Sequence, residues 1–271
     1  MSNHSQSKDQ QRLSIALVVG NSRLHWALFI DKTLYSTGDT FHLPASIIQQ
    51  LAQDPTLNNW LTAISLPTNL PIIPEYPIPL ILASVVPSQT SLWQIYPHLH
   101  IITLEDVPLE GIYSTLGIDR ALAVWGAGIT WGFPVLVIDA GTALTLTGAD
   151  NHQSLVGGAI LPGLGLQFAS LGQNTGQLPL LETGLMTTLP SRFATNTSAA
   201  IQSGVIYTLL SGIKDFIEAW WQLFPNGQLV MTGGDSNLLK TYLDQQFSDI
   251  SDRLIVDNHL IFQGIGNIVI T

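Results

Sequence analysis

Two stretches of the chain share one local pattern: an apolar run, a turn of glycine and small polar residues, and a second apolar run. Residues 13–30 read LSIALVVGNSRLHWALFI, and residues 134–147 read PVLVIDAGTALTLT. Each predicts a β-hairpin, because aliphatic runs bounded by Gly-polar turns favour buried strands. Setting Gly20 on Gly141 aligns Asn21 with Thr142 and places Val18 opposite Asp139. The repetition predicts two similar α/β domains, 13–132 and 133–271, behind a loose tail of residues 1–12. Any two buried hairpins share such a pattern, so the repeat alone leaves a chance likeness open.

Between and after the hairpins the pattern alternates strands with helices. Pro67, Pro71, Pro74, Pro77 and Pro79 mark loop and strand edge rather than helix. The run from Ile78 to Val86 reads as a buried strand ending at Pro87, with Ser88 opening a polar segment that caps a short helix. Residues 119–130, DRALAVWGAGIT, have helical spacing after Gly117, which puts Asp119 at a helix N-terminus. Asn196, Thr197 and Ser198 precede a long apolar-periodic helix over 199–223. Its Trp220 and Trp221 read as core or as dimer surface. A strand over 228–232, a Gly233-Gly234 turn, a helix over 236–247, a strand over 253–256 and a segment over 260–269 finish the chain.

Composition narrows the classes. Of 271 residues 46% are apolar, enough for one large domain or two of about 100–150 residues. Only 10% are charged and the mean hydropathy is +0.31, which raises a membrane span. The informative uncharged window, 121–138, is broken by Gly126, Gly128, Thr130, Gly132 and Pro134 and reads better as a buried helix followed by a buried strand. Nine Lys and Arg face 19 Asp and Glu, a net charge of −10 without a basic cluster, which disfavours nucleic acid. The absence of cysteine removes disulfides and thiolate chemistry, and the 7 histidines show no ligand spacing. The polar segment 1–11 has no apolar run of a signal peptide, so a cytoplasmic protein without a membrane partner is expected.

The chemistry concentrates at turns. Gly20-Asn21-Ser22 and Gly141-Thr142-Ala143 are candidate anion cradles, although tight hairpins also use glycine for backbone reasons. Asp139 ends an otherwise apolar strand, VLVID, where a carboxylate needs a cation or hydrogen-bond donors; it reads as a cation or phosphate residue, or as a cap. The chain has no phosphate-loop motif. Neutralising a bound triphosphate then falls to Mg²⁺ and backbone dipoles. In Gly117-Ile118-Asp119-Arg120 the aspartate either caps a helix or accepts a proton from an attacking hydroxyl, while the arginine steers a polar substrate or faces solvent. The glycines of 157–163 read as a link between strand and helix, and those of Thr232-Gly233-Gly234-Asp235 as a turn that lets backbone approach a ring or sugar.

Taken in order, GNS (20–22), SVVP (84–87), GIDR (117–120), DAGTALT (139–145), GGAILPG (157–163), NTSAAIQSG (196–204) and TGGD (232–235) resemble the type III pantothenate kinases over about residues 15–266. The resemblance implies two ribonuclease-H-like α/β domains of the actin-like ATPase fold around a nucleotide cleft. It implies ATP-dependent phosphorylation of pantothenate to 4′-phosphopantothenate, the first step of coenzyme A synthesis, in a homodimer. On it, Asp119 is the catalytic base, Gly117, Ile118, Asp119, Arg120 and Thr197 contact pantothenate, and Gly20, Asn21, Ser22, Thr142, Gly233 and Gly234 contact ATP. Asp139 resembles the ligand of a monovalent cation, K⁺ or NH₄⁺, beside Mg²⁺. Two positions depart from the family: Val18 replaces an aspartate of the first hairpin, and the segment with Tyr113 before GIDR is shorter and differently arranged. Val18 motivates the alternative of a weak or inactive nucleotide- and pantothenate-binding regulator on the same fold.

Overall fold

The computed structural model describes residues 12–66, 70, 74, 76–183 and 188–269. The tail over 1–11, and Pro67 and Pro71, lie outside them. The sequence LSIALVV forms β1 (Leu13–Val19), buried at every position but the partly buried Ser14, as expected of a central strand covered on both faces. It pairs antiparallel with β2 (Leu24–Ile30), which pairs with β3 (Thr33–Thr40), and on its other side it runs parallel to β4 (Leu80–Ser84), which pairs with β5 (Leu99–Ile101). The first sheet therefore has the order β3-β2-β1-β4-β5. Helices α1 (Ala45–Gln53), α2 (Leu57–Ala63) and α3 (Pro87–Trp93) accompany it, and Ile48, Leu51, Trp60 and Trp93 share a core with Leu13, Ile15, Leu17 and Leu28. The expected cap at Ser88 is displaced: Pro87 opens α3, its fixed φ and missing N–H suiting the first helical position, and Ser88 lies inside the helix.

Helix α4 (Ile118–Trp131) precedes the second sheet. There β6 (Val135–Ala140) and β7 (Ala143–Ala149) form the second hairpin, β8 (Leu155–Pro162) adds to β7, and β9 (Gln228–Thr232) and β10 (Leu254–Val256) run parallel beside β6. The order β10-β9-β6-β7-β8 repeats the first sheet strand for strand. Each sheet has the ribonuclease-H-like topology, and its duplication in one chain is the actin-like ATPase fold. Helices α5 (Leu164–Asn174), α6 (Thr197–Leu223), α7 (Ser236–Gln246), α8 (Ser248–Ser251) and α9 (Leu260–Val269) follow in order. Trp220 of α6 is in the core with Leu146, Leu209 and Leu229, and Trp221 packs partly buried against it.

The glycine-rich stretch expected to link strand to helix is itself strand β8. A Cβ at Gly158 would lie 1.9 Å from the Leu146 carbonyl oxygen and 2.8 Å from Arg120 Nη2, so glycine lets the strand pass over the arginine. Packing forms two compact units, the described parts of Met1–Asp106 with Ile265–Thr271, and of Val107–Gly264. Strand pairing divides the chain between β5 and β6, near the expected boundary at 132 and 133. Packing divides it at 106 and 107, because α4 lies against β6 and β7 and belongs with the sheet that follows it.

Candidate active site

In the second unit, β6 carries Asp139 at its end, where the apolar strand gives way to the Gly141-Thr142 turn. The Thr232-Gly233-Gly234-Asp235 segment leaves the parallel strand β9 beside it, with Asp139 paired to Thr232. Gly233 has φ +94°, and a Cβ there would stand 2.6 Å from both Asp139 Oδ1 and the Ala140 carbonyl oxygen. No side chain fits at that position, which brings backbone directly onto the carboxylate. The Asp235 N–H donates to Ala140 O at 2.9 Å, locking the two turns together. Thr142 is exposed at the tip, while its carbonyl accepts from Gly163 N–H at 2.9 Å. Asp139, Thr142 and Gly233 thus form one oxygen-rich corner, and Gly234 lies exposed next to it.

Asp235 belongs to the same corner and was not singled out in the sequence. Burial pushes its carboxyl up from the usual carboxylate range, and its charge adds to the burial that raises the Tyr242 phenol. Among the described residues no group of three or more His, Asp or Glu side chains is placed to hold a metal ion. A hard cation bound here would draw on Asp139 together with backbone and ligand oxygens, a donor set that fits K⁺ better than a protein-caged Mg²⁺.

Gly117 precedes α4 in extended conformation, and Ile118, buried against the core, starts the helix. Asp119 is partly buried in the first turn, where its Oδ1 accepts from Arg120 N–H at 2.8 Å. Burial raises its pKa above the ordinary carboxylate value, opposed by that N–H and by the Arg120 charge. Arg120 is 7% exposed, far from the solvent-facing alternative. Its Nε donates to Thr147 Oγ1 at 2.9 Å, its Nη1 to the Tyr113 hydroxyl at 3.1 Å and its Nη2 to Leu146 O at 3.2 Å. Tyr113, which sequence spacing left unassigned, is therefore joined to the GIDR turn through Arg120.

Thr197 opens α6, and Asn196 Oδ1 caps the helix by accepting from Ala199 N–H at 2.9 Å. Thr197 lines a largely apolar groove of about 460 Å³ with Gln167, Leu171, Leu178, Ile201 and Thr208. Gly20, Asn21 and Ser22 form the hairpin turn of the first unit, closed by Gly20 N–H donating to Arg23 O at 3.0 Å. Val18 is 4% exposed in β1, at the register position that Asp139 holds in β6.

A sequence model of the type III pantothenate kinases matches residues 14–219. A type III pantothenate kinase of Nostoc sp. is 57% identical over 259 residues, covering 94% of each chain. One from Synechocystis sp. is 42% identical over 261 residues, covering 96% of this chain and 91% of its own. Among solved structures, a Baf family transcriptional activator from Campylobacter jejuni superposes with a TM-score of 0.60 at 21% identity, covering 94% of this chain and 96% of that one. At that identity the superposition speaks for the fold alone.

Proposed function

The chain belongs to the type III pantothenate kinase family, and from that premise we propose how its residues transfer a phosphoryl group from ATP to pantothenate. The reaction yields 4′-phosphopantothenate and ADP, opening coenzyme A synthesis. Asp119 accepts the proton of the primary hydroxyl as that oxygen attacks the γ-phosphorus and ADP leaves. The single observation that carries this assignment is a helix-start carboxylate raised in pKa by burial beside a fixed arginine. A base whose pKa is lifted toward working pH accepts a proton more effectively than an ordinary carboxylate.

Arg120, held by three hydrogen bonds, supplies fixed positive charge near the GIDR turn and presents Tyr113. Gly117, Ile118 and Thr197 complete the pantothenate side. The turn residues Gly20, Asn21 and Ser22, with Thr142, Gly233 and Gly234, bind ATP through backbone N–H groups and small side chains. Asp139 is the residue that would hold a monovalent cation, K⁺ or NH₄⁺, and Mg²⁺ would be carried by the phosphates of ATP. Such a cation would supply neutralisation of phosphate charge in a chain with 9 lysines and arginines. The enzyme is proposed to act as a homodimer, which sedimentation tests directly. A cytoplasmic location suits a reaction fed by ATP, and no described helix is long and apolar enough to cross a membrane.

Asp119→Asn tests the base. Turnover is expected to fall by about two to four orders of magnitude while the affinity for ATP is kept. Unchanged turnover removes Asp119 from the role.

A further inference from the structure

Strands β7 and β8 are joined by a turn over 150–154 that Asp150 builds. Its Oδ1 accepts from His152 N–H at 2.8 Å and from Ser154 N–H at 2.9 Å. Its own N–H donates to Ser154 O at 2.9 Å, and its carbonyl accepts from Gln153 N–H at 3.1 Å. Gln153 stands at φ +63°, in the left-handed region that a residue with a Cβ seldom enters. Such a conformation persists where its surroundings over-determine it, and here the four bonds of Asp150 do so. The Gln153 carbonyl then accepts from a donor outside the hairpin, Glu110 N–H, at 3.0 Å.

Glu110 belongs to the segment that precedes the GIDR turn. Its carbonyl accepts from Leu155 N–H at 2.8 Å, so two backbone bonds lay it parallel to the start of β8. Gly111, at φ +70°, turns the chain there, and a Cβ on it would stand 3.8 Å from Leu155 O. The far end of the segment is fixed by buried Leu116, whose N–H donates to Tyr113 O at 3.0 Å, and by Ile118 at the start of α4. Between these anchors Tyr113 is 44% exposed, and its hydroxyl accepts from Arg120 Nη1 at 3.1 Å. Because that oxygen accepts, its own proton is left to donate to a substrate oxygen. Asp150, Gln153, Glu110, Tyr113 and Arg120 thus form one line of contacts inside the second unit.

We propose that Asp150 is a positioning residue of the pantothenate site, acting through the bond between Gln153 and Glu110 on Tyr113 and Arg120. Its Oδ1 serves the turn, and its influence on the substrate passes through the segment that the turn holds. Pantothenate offers hydroxyl, amide and carboxylate oxygens to the Tyr113 and Arg120 donors. Donors fixed before the substrate arrives cost less ordering at the moment of binding. This assignment rests on the pantothenate role given above to Arg120.

Steady-state kinetics of the full chain, with calorimetric titration of pantothenate, test it. Asp150→Ala is expected to raise KM and Kd for pantothenate about three- to tenfold, the range of one lost hydrogen bond, with KM for ATP unchanged. Asp150→Asn keeps the acceptor and stays near the wild-type values. Tyr113→Phe raises the same two constants by a similar factor, and adding Asp150→Ala to it raises them no further. A general folding defect multiplies the two effects instead and moves both KM values. Wild-type protein that forms phosphopantothenate, with a folded Asp150→Ala variant of unaltered KM for pantothenate or with independent effects in the double variant, overturns the positioning role and leaves the kinase. Wild type that binds pantothenate without forming product, with the same non-additive loss of affinity, removes the kinase reading and supports the positioning role.

Discussion

At the residue scale, Asp119 carries opposite consequences for activity and stability. A carboxyl whose native pKa lies above its unfolded value binds more protons folded than unfolded between the two values. The stability it contributes is full below the unfolded pKa and is lost as pH rises through the native one. Above both, the ionised buried group is a net cost. Asp119→Asn keeps an acceptor for the Arg120 N–H and is expected to raise the melting temperature at pH 7 but not near pH 3, read by thermal denaturation across pH. The same raised pKa places the acid limb of wild-type kcat/KM above the ordinary carboxylate range, with activity falling as pH falls through it. Thr147 shows the complementary case. It is 2% exposed and accepts from Arg120 Nε, so Thr147→Val leaves a buried charged donor without that acceptor. A loss of about 1–3 kcal/mol in denaturant unfolding is expected, together with a rise in KM for pantothenate.

At the scale of elements, the close pass of β8 over β7 sets the shelf on which Arg120 lies. Gly158→Ala places a methyl within 1.9 Å of the Leu146 carbonyl oxygen, and no side-chain rotation relieves a clash with backbone. Destabilisation of about 1–3 kcal/mol or more is expected, with Gly176→Ala, whose added methyl meets open space, as the neutral control in the same unfolding assay. The two hairpins were legible because their apolar runs are long and their Gly-polar turns short. Strand β3 was not, since its TLYSTGDT is polar and only half-buried at a sheet edge. Strand β8 was mistaken for a link because four small or turn-forming residues outweighed its alternation, a pattern that only its partner β7 explains. Asp119, Asp139 and Thr197 were found as residues ending or opening periodic runs. The Arg120 contacts with Tyr113 and Thr147 arise from register and packing between strands and helices separated in sequence, which spacing does not encode.

At the scale of the whole molecule, one topology used twice with different residues in corresponding rows explains how the chain divides its labour. The second sheet carries the carboxylate of Asp139 at the register position where the first carries Val18. Asp139→Asn is accordingly expected to blunt the activation by K⁺ over Na⁺, measured as the ratio of initial rates in the two salts; an unchanged ratio removes Asp139 from that role. With valine at position 18, this chain is still expected to be a working pantothenate kinase. Mass-spectrometric detection of phosphopantothenate from purified protein with pantothenate, ATP and Mg²⁺ in K⁺ buffer tests it most directly, with Asp119→Asn run in parallel. Product from the wild type and almost none from the variant is the predicted result; folded wild-type protein that forms no product contradicts the account.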